Sequence, residues 1–318
     1  MASRELKDLV GAWRRLEDRG SAILATVVHT EGSTYRKVGA RMLFSREGSL
    51  AGSVSGGCLE ADLLGKAGSL ADPLTVTYDS TAESDIVWGF GLGCNGIVKI
   101  LLQPGALAAS VMALLEQVLD SRKTLVLDTC VEEGSSLGRF QVAEPESEAE
   151  NGWLREHVEP PKRVLAFGAG FDAPPLVRIA QEIGWDVTVV DHRSELLAKL
   201  PFAETVQAHP GRAPGELIEE ADAIVVMTHN YLNDLAILRQ ISAHGPRYVG
   251  LLGPAARRRR LQSELDRPIA LSSPAGLDIG ASGPHEIALA IVAEIQADLN
   301  GRAGGRLSVG KELTPSCR

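Results

Sequence analysis

The sequence predicts an α/β protein of two modules: a C-terminal parallel sheet with helices on both faces, preceded by a smaller mixed α+β domain. Three observations carry this. Beyond Pro160 and Pro161, the apolar runs RVLAFG, DVTVVD, AIVVMT and YVGLLG alternate with amphipathic helical stretches, a series that gives a parallel sheet covered on both sides. Before that point, short β-rich runs dominate and helices are few. A chain of 318 residues also exceeds one ordinary core, so two are expected.

Taken in order, residues 4–19 read as a helix, with Leu6, Leu9, Val10, Trp13 and Leu16 at helical spacing and Gly20 as its stop. Strands are expected at Ala22–His29, Ala40–Phe44, Leu74–Tyr78 and Ile97–Leu102, with helices near Cys58–Ala67 and Ala106–Ser121. The acidic, proline-bearing stretch Val142–Lys162 includes WLREHV, read as a returning strand, and the domain boundary is placed just after it. The first domain then spans 1–160 and the second 161–300, with helices expected at Ala173–Ile183, Leu232–Ser242 and Pro284–Leu299. The glycine-rich tail 301–318 is expected to be disordered, with Cys317 exposed.

Composition excludes several function classes. A net charge of −9 argues against nucleic acid as principal ligand, because binding phosphates requires a basic surface. No apolar run approaches the roughly 18 to 20 residues that span a bilayer, and Met1–Glu17 carries mixed charge without an apolar signal core, so a cytoplasmic location is expected. Cys58, Cys94, Cys130 and Cys317 form neither a disulfide framework nor a CxxC zinc pair. No GxSxG elbow, HExxH or GxxxxGK[ST] is expected, and hydrolysis is not expected either.

Three glycine-containing turns carry the candidate chemistry. Gly168-Ala-Gly170-Phe-Asp-Ala173 lies between an apolar strand and a helix, where a glycine turn lets phosphate approach backbone amides and small Ala173 permits close packing of helix on strand. Asp191 ends the next strand, placed to accept hydrogen bonds from ribose hydroxyls, and Arg193 joins it as a candidate ligand-binding residue. Gly56 and Gly57 deliver Cys58 to a helix start in GGCLE. There the thiol is either a reactive thiolate favoured by exposed amides and the helix dipole, or a small residue closing a tight turn. The third turn, Trp88–Gly96, puts Gly93 and Cys94 in a glycine-dense loop that either opens its backbone to a ligand or is a strained turn before a strand.

The loop Gly32–Lys37 offers Arg36 and Lys37 either to an anionic group or to solvent, and the run Arg257–Arg260 opens a helix of which two side chains at most face one ligand. His229 and Asn230 fall at the carboxyl edge of a predicted strand, where doubly wound sheets bind ligands, and His192 follows Asp191. A structural hydrogen-bonding role competes with function at each histidine.

In this order the motifs resemble the XdhC/CoxF (XdhC/CoxI) family of xanthine and carbon monoxide dehydrogenase maturation factors. EGSTYRKVGARML, GSVSGGCLEAD and WGFGLGCNGIVKILLQP carry the N-terminal resemblance. VLAFGAGFDAPPLVRIAQEIGWDVTVVDHR, THNYLNDLAIL, YVGLLGPAARRRRL and AGLDIGASGPHEIALAIVAEI carry the rest. The resemblance implies a Rossmann-like C-terminal domain and a non-catalytic accessory factor. Such a factor binds molybdenum cofactor (molybdopterin), holds it while a cysteine desulfurase supplies its sulfido ligand, and passes it to an apo molybdenum hydroxylase of the xanthine or CO dehydrogenase type. It also implies that Cys58 and Cys94 are the family cysteines. Phe171 stands where many relatives have the histidine of GAGH, which removes any proton-transfer role there.

Two other readings stay open. GAGFDA with Asp191 suits an NAD(P)-dependent oxidoreductase. Reversible pairing of Cys58 with Cys94 suits a redox regulator, provided the two meet disulfide geometry. A homodimer is expected for such a fold.

Overall fold

The structure is a computed structural model and describes residues 1–45, 48–68, 70–80, 96–241 and 245–307. Its contacts divide the chain into two units, Met1–Pro161 and Lys162–Arg318.

The first unit opens with α1 (Ser3–Arg15) and continues through β1 (Ile23–Gly32), β2 (Arg41–Ser45), β3 (Gly48–Gly52), α2 (Glu60–Ala67), β4 (Leu74–Asp79), β5 (Gly96–Pro104) and α3 (Gly105–Ser121). Its five-stranded antiparallel sheet has the order β3-β2-β1-β5-β4. Strand alternation divides the apolar residues: Leu24 and Leu43 face α1 and α3, while Ile23, Ala25, Val27, Met42 and Phe44 pack with Leu63 and Ala67 of α2. A second sheet, β7-β6-β8, joins β6 (Leu125–Cys130), β7 (Phe140–Val142) and β8 (Trp153–Val158). Buried Arg41 ties β2 to β8 through Glu156, Nη2 to Oε2 2.6 Å.

The second unit carries β9 (Arg163–Phe167), α4 (Ala173–Glu182), β10 (Asp186–Asp191), α5 (Ser194–Leu197), β11 (Glu204–Gln207), α6 (Gly215–Glu219), β12 (Ala223–Val226), α7 (Tyr231–Gln240), β13 (Tyr248–Leu251), α8 (Ala255–Ser263) and α9 (Pro284–Leu299). Its five parallel strands run in the order β11-β10-β9-β12-β13. Near-continuous apolar strands are explained by two covered faces. Val164 and Ala166 of β9 with Ala223 and Val225 of β12 face α4 and α9, whereas Leu165, Phe167, Ile224 and Val226 face α6, α7 and α8. The order reverses between β9 and β12, the switch point at whose carboxyl edge doubly wound sheets bind ligands.

No helix among the described residues is long and apolar enough to cross a membrane. The first-domain strands β3 and β7, and α5, β11 and α6 in the second, have no counterpart in the sequence reading. They are short, and β3 is bounded by glycines.

Candidate functional site

At the end of β9 the chain turns through Gly168, whose φ is +114°. A Cβ there would lie 2.5 Å from the Met227 carbonyl oxygen and 3.2 Å from Thr228 Cα. Only glycine therefore lets this turn lie against the end of β12. Ala173 is fully buried in the core beneath α4, and its N–H is taken by the Gly170 carbonyl at 3.1 Å. Pro174 and Pro175 follow in the first turn of α4. They start a helix readily but remove two of the N–H groups that a helix usually offers an anion. The Ala169 N–H goes to Asp191. What stays open are the amides of Gly170, Phe171 and Asp172, which have no acceptor among the described residues. A Cβ on Gly170 would meet nothing within 4 Å, and Phe171 is 92% exposed.

Asp191 is buried at the end of β10 and is engaged on both oxygens. Oδ2 accepts from the Ala169 amide (2.8 Å) and Arg193 Nη2 (2.7 Å), and Oδ1 accepts from the Arg193 amide and Nε, each at 2.9 Å. His192 Nδ1 lies 3.3 Å from Oδ1. Burial alone pushes this carboxyl up, but the Arg193 guanidinium and the two amides outweigh it and hold it down to about 2. Asp191 and Arg193 thus satisfy one another while bracing the turn, and a ribose reaching Asp191 has to compete with Arg193. The cavity beside them is only about 10 Å³, room for one water.

The larger opening is a groove of about 690 Å³ at the carboxyl edge, bordered by Asp172, His229, Gly253, Arg257 and the segment 274–281. His229, in the left-handed region at φ +56°, sets its Nε2 2.7 Å from Asp172 Oδ2, closing the two strand ends over the switch point. Beneath it, Asp234 is 1% exposed and accepts from Thr228 Oγ1 and Arg257 Nη2, each at 2.5 Å. Burial raises the Asp234 carboxyl above its ordinary value against the pull of Thr228 and Arg257. Gly253 makes room for that arginine, since a Cβ would fall 2.9 Å from Arg257 Cδ. No group of three or more His, Cys, Asp or Glu among the described residues is arranged to hold a metal ion.

In the N-terminal unit α2 begins at Glu60, so Cys58 lies ahead of the helix and not in its first turn. Its thiol is exposed and lies 3.6 Å from Ser55 Oγ. The same hydroxyl accepts from the amides of Gly57 (3.1 Å) and Leu59 (3.2 Å) and donates to Glu60 Oε2. Glu60 also accepts from the Ser55 amide and Ser53 Oγ. Burial pushes Glu60 up, but these bonds prevail and hold it below its usual range. The amides at this turn therefore serve Ser55 and Glu60, while the sulfur meets a hydroxyl whose proton is already given away. A Cβ on Gly56 would lie 3.9 Å from the Tyr35 ring, and one on Gly57, at φ +106°, would meet open space. Arg36 of the basic loop is paired with Glu5 of α1. Gly93 and Cys94 lie outside the described residues, as does Cys317.

Comparison with known proteins now bears on this geometry. The XdhC Rossmann domain matches residues 164–295, and the XdhC and CoxI family matches residues 15–79. A probable xanthine dehydrogenase subunit of Bacillus subtilis is 35% identical over 319 residues, covering 88% of this chain and 94% of that relative. The chain belongs to the XdhC and CoxI family. The molybdenum cofactor insertion chaperone PaoD of Escherichia coli is 26% identical over 289 residues, 86% of this chain and 82% of PaoD. A crystal structure of a xanthine dehydrogenase from Bacillus halodurans superposes with a TM-score of 0.81 at 30% identity, covering 98% of each chain.

For this XdhC and CoxI family member, sequence reasoning singled out Gly168, Gly170, Ala173 and His229, which the structure gathers at one sheet edge. It missed Asp172, Asp234 and the 274–281 segment. Asp234 had a usable signal, an acidic residue inside an otherwise apolar helical face, whereas the 274–281 segment lacks any periodicity. The reading that GxSxG is absent is corrected by Gly134–Gly138, which has that spacing. There the chain makes a tight turn between β6 and β7, with Leu137 N–H to Gly134 O and Gly138 N–H to Cys130 O. A nucleophile elbow needs a strand entering a helix, so this match carries no hydrolase chemistry.

Proposed function

We propose that this protein is a maturation factor that binds molybdenum cofactor as cargo, protects it while its sulfido ligand is installed with a cysteine desulfurase, and delivers it to an apo molybdenum hydroxylase of the xanthine or CO dehydrogenase type. Family membership and the insertion role carried in the name of PaoD support the reading. The structural observation that carries it is the groove of about 690 Å³ at the switch point, a volume within the range of about 300 to 1,000 Å³ usual for small-ligand sites. The open amides of Gly170, Phe171 and Asp172 are suited to a phosphate at its rim. Exposed Cys58 is available for sulfur handling, with Cys94 second in the same role. The rival NAD(P) oxidoreductase reading has less support, because Asp191 already spends its acceptors on Arg193 and Ala169.

The test is to purify the protein from a host that makes molybdenum cofactor and to assay molybdenum and pterin. Cofactor in about one-to-one proportion, with no turnover of purines or aldehydes by the protein alone, is expected. Protein free of molybdenum and pterin that consumes NADH with a small substrate overturns the proposal. In a strain lacking the native factor, Cys58→Ser is expected to lower sulfido-molybdenum content and activity of the hydroxylase more than Cys94→Ser, and Cys130→Ser to leave both unchanged.

A further inference from the structure

We infer that the body of the groove reads the ring of its ligand and leaves the phosphate to the amides at the rim: Asp278 accepts the paired N–H donors of a 2-amino-4-oxo-pyrimidine edge, the edge that pterin and guanine share. The choice of pterin over guanine rests on the maturation reading above; recognition of the edge stands on the groove alone.

The walls are apolar, with Leu252, Leu277, Ile287 and Ala290 among them, and suit a flat ring. Its charged side chains are two carboxylates, Asp172 and Asp278, against one guanidinium, Arg257. That guanidinium spends Nη2 on buried Asp234, and its Nε, though it has no acceptor, is itself buried away from the groove's open space. Asp172 already has one oxygen on His229. Asp278 has no hydrogen-bond or ion-pair partner among the described residues. Among the carboxylates and the guanidinium of the groove, the unspent polar capacity is therefore that of an acceptor, and the open donors are the backbone amides at its rim. A phosphate seated in it would face like charge, which costs affinity. An ionised carboxylate is acceptor-only and offers two oxygens side by side. It matches two parallel N–H groups in the same forked geometry that joins carboxylates to guanidinium. The 2-amino group and adjacent ring N–H of pterin or guanine supply that pair, whereas phosphate supplies more acceptors.

Asp278 is also held in place before any ligand arrives. The three residues preceding it are pinned by Ala275 N–H to Leu251 O (3.2 Å), Gly276 N–H to Glu294 Oε2 (2.7 Å) and Leu277 N–H to Ala290 O (3.1 Å). Tyr248 Oη fixes Glu294 in turn at 2.5 Å. Such anchoring lowers the ordering cost of binding.

Calorimetric titration of the full chain with four phosphate-free or ring-free probes decides the matter: 6-methylpterin, 6-methyllumazine, guanosine and inorganic phosphate. Lumazine carries a carbonyl in place of the 2-amino group, so it presents an acceptor where pterin presents a donor. Pterin is expected to bind, lumazine to bind roughly tenfold more weakly, and phosphate to leave pterin affinity unchanged. Asp278→Asn, at an exposed position, is expected to weaken pterin by about tenfold and to erase the preference over lumazine, with an unchanged melting midpoint. Equal binding of pterin and lumazine, displacement of pterin by phosphate, or an Asp278→Asn variant that discriminates as before overturns the inference. Guanosine binding more tightly than pterin overturns the assignment to pterin. Protein that carries molybdenum from a cofactor-making host yet treats pterin and lumazine alike defeats this inference and spares the maturation reading. Asp278-dependent selection of pterin by protein that never carries molybdenum does the reverse.

Discussion

At Ser55–Leu59 and at Gly168–Ala173 the chain makes a glycine turn ahead of a helix, and the two turns dispose of their amide protons differently. In the first, Ser55 Oγ and Glu60 take the amides of Gly57 and Leu59, so the turn is closed on itself. In the second, Asp191 takes only the Ala169 amide and leaves those of Gly170, Phe171 and Asp172 open. Glycine makes both turns possible, but the acceptor that happens to lie nearby decides whether a ligand is served. Ser55 is at hand for the N-terminal turn, and nothing comparable stands over Gly170.

The largest expected effect separates a glycine that is needed for space from one needed only for its backbone angle. Gly168→Val puts a Cβ 2.5 Å from the Met227 carbonyl and is expected to cost about 3 kcal/mol or more. Gly57→Ala, with nothing within 4 Å, meets only the strain of its φ of +106°, about 1 to 2 kcal/mol. Urea unfolding of the two variants checks the contrast, and equal losses would break it.

That contrast also marks what was legible in the sequence. The strand-glycine-helix pattern placed β9, Gly168 and α4 correctly, because a parallel strand buried on both faces has to be continuously apolar and its turn has to be tight. The same pattern at GGCLE suggested amides facing a thiolate, and there it fell short. Ser55 and Glu60, three residues before and two after Cys58, compete for those amides, and neither reads as an acceptor until the turn is folded. Asp191 taught the same lesson. Its position at the strand end was evident, but Arg193, two residues on, folds back onto it in a contact that no spacing rule anticipates. The groove lay furthest from view, since its border is assembled from the ends of β9, β12 and β13 and a segment without periodicity.

Asp191 gives the next effect in size. A folded carboxyl held down to about 2 stabilises the protein fully above the ordinary carboxylate range, and this contribution is lost as pH falls through the folded value. It amounts to about 2 kcal/mol at neutral pH. Asp191→Asn is expected to remove that portion of the acid dependence between about pH 4 and pH 2, as measured by unfolding across that range. An unchanged profile would mean that Arg193 does not hold the carboxylate in solution.

Ser55→Ala tests the closed turn. The substitution leaves the Gly57 amide without its acceptor and takes one donor from Glu60, for an expected loss of about 1 to 2 kcal/mol. It also removes the oxygen facing Cys58 Sγ. Urea unfolding of Ser55→Ala beside the parent protein checks the loss, and an unchanged midpoint would mean that water replaces the hydroxyl at the Gly57 and Leu59 amides.

The smallest effect on stability belongs to the open turn, and it is the most informative about ligand. Gly170 has no neighbour within 4 Å of a Cβ and no positive φ, so Gly170→Ala is expected to change stability by no more than about 0.5 kcal/mol. Enlarging the same position to Trp leaves the strands and the packing of Ala173 untouched, but it fills the space through which a phosphate would reach the three open amides. Affinity for a phosphate-bearing pterin is then expected to fall by roughly tenfold, as one or two charge-assisted bonds are lost. A phosphate-free pterin, which leaves these amides unused, is expected to bind as before. If Gly170→Trp weakens both ligands equally, the turn borders the ring and not the phosphate, and the distinction between closed and open amides loses its functional meaning.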